Sequence, residues 1–76
     1  MYPLYFCKNN KKLIIKEVKG SKNNIEKCVS RGFIPGTEIS IQREEGENLV
    51  VFLNSSYFIL SKELAFFIFV EEVKES

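Results

Sequence analysis

The chain contains no histidine and no tryptophan. Without an imidazole it lacks the usual general base near neutral pH and the commonest metal-ligating ring. Cysteine is scarce: only Cys7 and Cys28 occur, with no CxxC spacing. The usual zinc sites and thioredoxin-like redox chemistry are therefore excluded. Both cysteines read as small buried hydrophobes, Cys28 on the apolar face of a predicted helix and Cys7 after Leu4-Tyr5-Phe6. No disulfide is expected in a reducing compartment. Gly20 and Gly36 stand alone, so no glycine-rich loop with a lysine is present to cradle phosphate, and no serine sits in a GxSxG elbow. No apolar run approaches the roughly 18 residues of a membrane span. Met1 to Cys7 lack a basic leader and a long apolar core, so no signal peptide is expected and the cytoplasm is the expected location. No catalytic residue, cofactor or metal ligand is assigned, and an enzyme is not expected. Glu44, Glu45 and Glu47 read as a solvated hairpin tip rather than a cation site.

What the chain does have is apolar bulk and an uneven charge. Seventy-six residues, read as one domain over 1–76, include seven Phe and three Tyr. A chain of this size buries only about 60% of its unfolded surface. Net charge is +1, yet residues 1 to 31 carry eight Lys or Arg against Glu17 and Glu26, while residues 32 to 76 carry three against eight Glu. A basic half can attract phosphate or an acidic surface, or it can be a solvated face that opposes aggregation.

The strongest local signal is Gly32-Phe33-Ile34-Pro35-Gly36-Thr37-Glu38-Ile39-Ser40-Ile41. A helical pattern enters it from Asn24, with Ile25, Cys28 and Val29 on one side and Glu26, Lys27 and Ser30 facing water. Gly32 supplies the left-handed residue that ends the helix. Pro35-Gly36 forms a type II turn, with Pro at the first central position and Gly at the second. Thr37 to Ile41 then alternates polar and apolar residues, as a half-buried strand does.

The remaining elements are short. Leu4-Tyr5-Phe6 reads as an extended apolar segment. Lys8 to Lys12 is a turn in which Asn9 or Asn10 takes positive φ. Lys12 to Val18 is a strand, broken by Gly20-Ser21, and Ser21, Asn23 or Asn24 caps the helix. Glu38 to Arg43, Leu49 to Leu53, Tyr57 to Leu60 and Phe66 to Val70 are further strands, and Ser61 caps a single helical turn over Lys62-Glu63-Leu64-Ala65. These elements predict a mainly β fold. It is a small barrel of five to six strands, with one short helix after the first long strand and a helical turn before the last. Closure of the barrel is expected because it removes exposed edges.

Apolar residues exceed what a core needs. Leu49, Val51 and Leu53 share one face of their strand, Phe58 and Leu60 of the next, and Ile68 and Val70 of the last. Val50, Phe52, Tyr57, Ile59, Phe67 and Phe69 then point outward as a patch, either an interaction surface or a face covered by the helix, the N-terminal segment or the tail.

The order of these motifs resembles the ferrous iron transport protein A (FeoA) family. The family pattern runs an aliphatic helix into Gly, a hydrophobic residue, any residue, Pro and Gly, then an aliphatic strand. Here it is Cys28-Val29-Ser30-Arg31-Gly32-Phe33-Ile34-Pro35-Gly36-Thr37-Glu38-Ile39. The later pattern is similar in Ser55, Phe58-Ile59-Leu60, Ala65, Ile68 and Val70, and Pro3-Leu4 looks like the opening of short versions in anaerobic Gram-positive bacteria. Arg31 stands where the family usually has Met or Leu, Lys27 and Cys28 where it has Arg and Leu, and Ser55 and Asn10 where it has Gly.

The resemblance implies that the barrel is SH3-like and that the chain is a non-enzymatic cytoplasmic accessory of bacterial ferrous iron uptake. Its implied partner is the cytoplasmic region of the membrane GTPase-permease, ferrous iron transport protein B, which would recruit it to the inner face of the membrane without insertion. Family descriptions include transition-metal binding, but this chain offers neither His nor paired Cys. The expected partner surface comprises Arg31, Phe33, Ile34, Val50, Phe52, Tyr57, Phe67 and Phe69, with Gly32, Pro35 and Gly36 as structural turn residues. Two other readings stay open. One is a small barrel binding nucleic acid through Lys8, Lys11, Lys12, Lys16, Lys19, Lys22 and Lys27, which the partner assignment does not favour. The other is weak self-association through Val50, Phe52, Phe67 and Phe69.

Overall fold

A computed structural model describes residues 1–74. Its strands are β1 (Tyr2–Pro3), β2 (Leu13–Val18), β3 (Glu38–Glu45), β4 (Asn48–Leu53), β5 (Ser56–Ser61) and β6 (Ile68–Glu72). Helix α1 (Lys22–Ser30) follows β2, and the single turn α2 (Lys62–Ala65) precedes β6. All six strands belong to one antiparallel sheet in the order β1-β6-β2-β3-β4-β5. This is the mainly β, SH3-like architecture expected from the sequence.

The sheet curls because two bulges bend it. β2 slips register between Ile15 and Glu17 against β6, and β3 slips between Ile41 and Arg43 against β4. A bulge adds one unpaired residue and sharpens the twist. In β2 it also resets the alternation, so Leu13, Ile15 and then Val18 turn inward while Lys16 stays exposed. β2 and β3 share only the pairs Leu13–Ile39 and Ile14–Glu38, so the sheet divides there into two packed halves. Closure differs from expectation: the hydrogen-bonded order ends at β1 and β5, and α2 and the Leu4–Phe6 turn lie between these edges instead of a ladder.

Between the halves, Leu13, Ile15, Ile39, Ile41, Val51, Leu53, Leu60, Ile68 and Val70 are essentially inaccessible to solvent. Their alternation along each strand is the reason one face packs and the other does not. Cys28, Phe33, Leu4 and Ala65 plug the open ends of this core. Leu4-Tyr5-Phe6 is a 3-10 turn and not an extended segment. Pro3 (φ −63°, ψ 141°) enters it extended, and the turn drops Leu4 into the core while leaving Tyr5 and Phe6 outside.

Local signals elsewhere are met. Asn10 takes φ +60°. The hydroxyl of Ser21 accepts from the Asn24 amide at 3.2 Å, and that of Ser61 accepts from Leu64 at 3.2 Å, each satisfying a free amide at a helix start.

Candidate functional site

The corner after α1 is built from backbone hydrogen bonds. The amide of Gly32 donates to the carbonyl of Val29 and that of Phe33 to Cys28, both at 3.0 Å. This double closure is the Schellman arrangement, and it needs the left-handed conformation that Gly32 adopts at φ +98°. The same arrangement brings the residue after the glycine against the last turn of the helix. Phe33 is therefore buried beside Cys28 and reaches Phe58 of β5, with ring centroids 6.2 Å apart. Phe33 is thus a core residue and leaves the expected partner surface.

Pro35-Gly36 closes the type II turn: the Thr37 amide donates to Ile34 at 3.0 Å, and Gly36 has φ +95°. Two more bonds fasten this turn to β2, from the Gly36 amide to the Ile15 carbonyl at 2.7 Å and from the Ile15 amide to Thr37 at 2.9 Å. The corner therefore holds Arg31 and Ile34 outward on a fixed backbone, with Ile34 45% exposed. Val29 joins them at the surface, although its spacing placed it on the apolar side of the helix. Only Cys28 of that side is fully buried, because a helix of nine residues on a small barrel covers little area.

Next to the corner lies the outer face of β4 and β5. Phe52 and Tyr57 are direct cross-strand partners with rings 5.0 Å apart, and both are exposed, as is Ile59. The Asn54-Ser55 turn joins these strands and touches the corner at Gly32. A shallow groove beside it is lined by Glu38, Ile39, Ser40, Phe52, Asn54 and Ser55. Val50 is the second correction. It lies outside the core cluster yet is buried, flanked in register by Arg43 and Ile59.

Phe67 and Phe69 lie elsewhere and are half-covered. Phe67 packs on Gly20, where an added β-carbon would come within 3.2 Å of its ring. Lys19 sits over the Phe69 ring at 4.7 Å. The β2–α1 connection thus roofs this strand, which the sheet order sets apart from β4 and β5. One aromatic group escaped sequence reading altogether. Tyr5 stacks on Phe66 with centroids 4.0 Å apart, and Phe6 sits edge-on to both. Phe66 lies far in sequence from Tyr5 and Phe6 and shares no period with them, so nothing local announced their meeting.

Two ion pairs join the basic and acidic halves of the sequence. Antiparallel pairing of β2 with β6 brings Lys16 to within 3.8 Å of Glu71, and Lys11, just before β2, lies 3.8 Å from Glu72. Lys19 pairs with Glu17 at 3.4 Å. At the hairpin tip Glu44 meets Lys62 and Glu45 meets Arg43, each at 3.3 Å. These lysines and glutamates compensate one another locally, which gives less support to a phosphate-binding lysine face.

The two thiols are free and held protonated. Burial, reinforced by the Glu72 carboxylate, pushes the Cys7 thiol up to about 11. Burial raises Cys28 too, against the opposing pull of Arg31. Among the described residues no three His, Cys, Asp or Glu side chains converge on a metal-sized site. Among the described residues no ready-made set of thiol, imidazole or carboxylate donors for a transition metal is therefore present. Among the described residues no helix is long and apolar enough to cross a membrane.

Comparison with known proteins agrees with this geometry. The FeoA domain family model matches residues 2–72. A protein of Methanocaldococcus jannaschii, provisionally named Fe(2+) transport protein A, is 26% identical over 74 residues, covering 97% of this chain and 90% of that protein. The crystal structure of an iron uptake regulatory protein (FeoA) superposes with a TM-score of 0.85 at 26% identity, over 95% of this chain and 96% of that one. The solution structure of iron(II) transport protein A from Clostridium thermocellum gives a TM-score of 0.86 at 32% identity, over 93% of this chain and 45% of that one.

Proposed function

The chain belongs to the FeoA family, which is associated with Fe(2+) transport, and from that membership we propose that it is a non-enzymatic accessory of ferrous iron uptake. It docks on the cytoplasmic region of the membrane GTPase-permease, ferrous iron transport protein B, and reaches the membrane through that partner. The observation that carries this reading is the fixed corner. Arg31 and Ile34 stand outward on a backbone tied to β2, next to the exposed Phe52–Tyr57 pair. A surface already held in shape loses little conformational freedom when it binds. Exposed tyrosine and arginine are also the residue types that most often dominate binding energy at protein interfaces. Two protonated thiols and the absence of histidine support a role without chemistry of its own.

The proposed docking surface is Val29, Arg31, Ile34, Phe52 and Tyr57, with Gly32, Pro35 and Gly36 as its frame. A titration of the isotope-labelled chain with the transporter's cytoplasmic GTPase domain, followed through backbone amide shifts by NMR, tests it. Shifts confined to Gly32–Thr37 and to β4 and β5 are expected. Unchanged spectra with and without guanine nucleotide, together with normal iron uptake after deletion of the gene, would overturn it.

A further inference from the structure

The backbone bond from the Lys62 amide to the Glu47 carbonyl shows which residues of β5 face β4. Because the register of the two strands is uniform, Ser56, Phe58 and Leu60 point their amides and carbonyls toward β4. Those of Tyr57, Ile59 and Ser61 point to the opposite side. Among the described residues no strand pairs with β5 on that side, and none of the backbone groups of Tyr57 or Ile59 finds a partner there. Both side chains are 65% exposed.

An open edge of this kind is normally blunted by lysine, proline, a bulge or a very short strand. The opposite edge of the sheet follows that rule, since β1 has two residues and one is Pro3. At β5, α2 leaves from the Ser61 end and touches the strand, but along Tyr57 to Ile59 none of these devices is present. Ser56-Tyr57-Phe58-Ile59-Leu60-Ser61 has no charge and no proline, and its pairing has no bulge.

We propose that β5 pairs antiparallel with β5 of a second copy of this chain, about a two-fold axis between Tyr57 and Ile59, joining two sheets into one. Tyr57 of each copy then exchanges backbone hydrogen bonds with Ile59 of the other. An uncharged strand is self-complementary, because no like charges oppose across the axis. The surrounding charges favour the antiparallel sense as well. The Ser61 end of β5 lies beside the acidic β3–β4 tip, where Lys62 meets Glu44 and its amide meets Glu47, and the Asn54-Ser55 end lies beside Gly32 and Glu38. A two-fold axis keeps the acidic tips of the two copies at opposite ends of the joined strands, whereas parallel strands would set them side by side. One strand pair buries less than the roughly 1,200 Å² of a stable complex, so the association is weak and concentration-dependent.

This pairing is independent of the transporter reading and is tested on the chain alone. Sedimentation equilibrium from about 10 μM to about 1 mM, with amide hydrogen exchange at both ends of the range, is the measurement. The expected mass rises toward twice the monomer, and the Tyr57 and Ile59 amides become protected only at high concentration. Ile59→Lys places the missing edge charge at an exposed position, and Tyr57→Lys repeats the test on the other member of the same register pair. Each weakens association about tenfold or more, while Phe6→Ser leaves it unchanged. A monomer mass throughout would overturn the proposal. So would a dimer that survives both lysine variants with the Tyr57 and Ile59 amides unprotected.

Discussion

Gly32 lies so close to Asn54 that a β-carbon added to the glycine would stand 3.1 Å from the asparagine amide nitrogen. This contact joins the corner that ends α1 to the turn between β4 and β5. Gly32 also has φ +98°, which L residues rarely adopt. Gly32→Ala meets both obstacles and should destabilise the fold by about 2 kcal/mol. The check is urea unfolding, where the midpoint should fall with little change in slope. An unchanged midpoint would mean that the corner relaxes freely.

The Asn54-Ser55 turn carries its own strain. Both central residues are left-handed, at φ +50° and φ +64°, as a two-residue type I′ hairpin requires. Asparagine tolerates this conformation and serine does so at a cost of ~1–2 kcal/mol. Glycine relieves it but adds ~0.5–1 kcal/mol of unfolded-state freedom. Ser55→Gly should therefore stabilise the chain by about 0.5 kcal/mol, raising the melting temperature by ~2–4 °C. A thermal scan that shows a decrease would contradict the turn geometry.

These two positions also show how far the sequence could be read. Gly32, Pro35, Gly36 and the Ser21 and Ser61 caps were legible because each signal acts within four residues, through one dihedral angle or one hydrogen bond. The inward faces of β4, β5 and β6 were legible because alternation is strict there. Phe33 was misplaced because the Schellman turn folds the residue after the glycine back onto the helix. Val50 was misplaced because the β3 bulge sets Arg43, rather than Gln42, opposite it, so its cover is non-local. The split of the aromatic patch depends on Phe67 meeting Gly20 and Lys19 meeting Phe69. Neither contact leaves a periodic trace. The Tyr5–Phe66 stack was illegible for the same reason.

Cys7 offers a test through pH. Its thiol hydrogen-bonds toward the Pro3 carbonyl at 3.7 Å, and burial with the Glu72 carboxylate lifts its pKa from 9.0 to about 11. At pH 8 the folded chain then carries roughly a hundredfold less Cys7 thiolate than the unfolded chain, and alkylation by iodoacetamide slows in proportion. Peptide-resolved mass spectrometry of labelled samples, native against denatured, reads this directly. The sign for stability follows from proton binding. Between pH 9 and pH 11 the native state holds the proton more tightly than the unfolded state, so the contribution is complete below pH 9 and declines toward pH 11. Cys7→Ala should flatten that part of the stability profile. Equal labelling rates in native and denatured chain would show that the thiol is not shielded.

The stack of Tyr5 on Phe66, at 4.0 Å between centroids and 18° between planes, is the contact that pins the Leu4–Phe6 turn to the end of α2. It spans the gap between the sheet edges β1 and β5, where no ladder holds the barrel shut. Offset aromatic pairs contribute about 0.5–1.5 kcal/mol beyond area burial. Tyr5→Ala and Phe66→Ala should therefore couple by about 1 kcal/mol in a double-mutant cycle. Phe6 is 67% exposed and meets both rings only by its edge. Its replacement by alanine should cost less than either of the others. Loss of the stack should also loosen Leu4, which the same turn seats in the core, so hydrogen exchange at the Tyr2 and Cys7 amides should quicken in the Phe66→Ala variant. Additive stabilities and unchanged exchange would mean that Leu4 alone holds the turn. The stack would then be a surface contact with no part in closing the barrel.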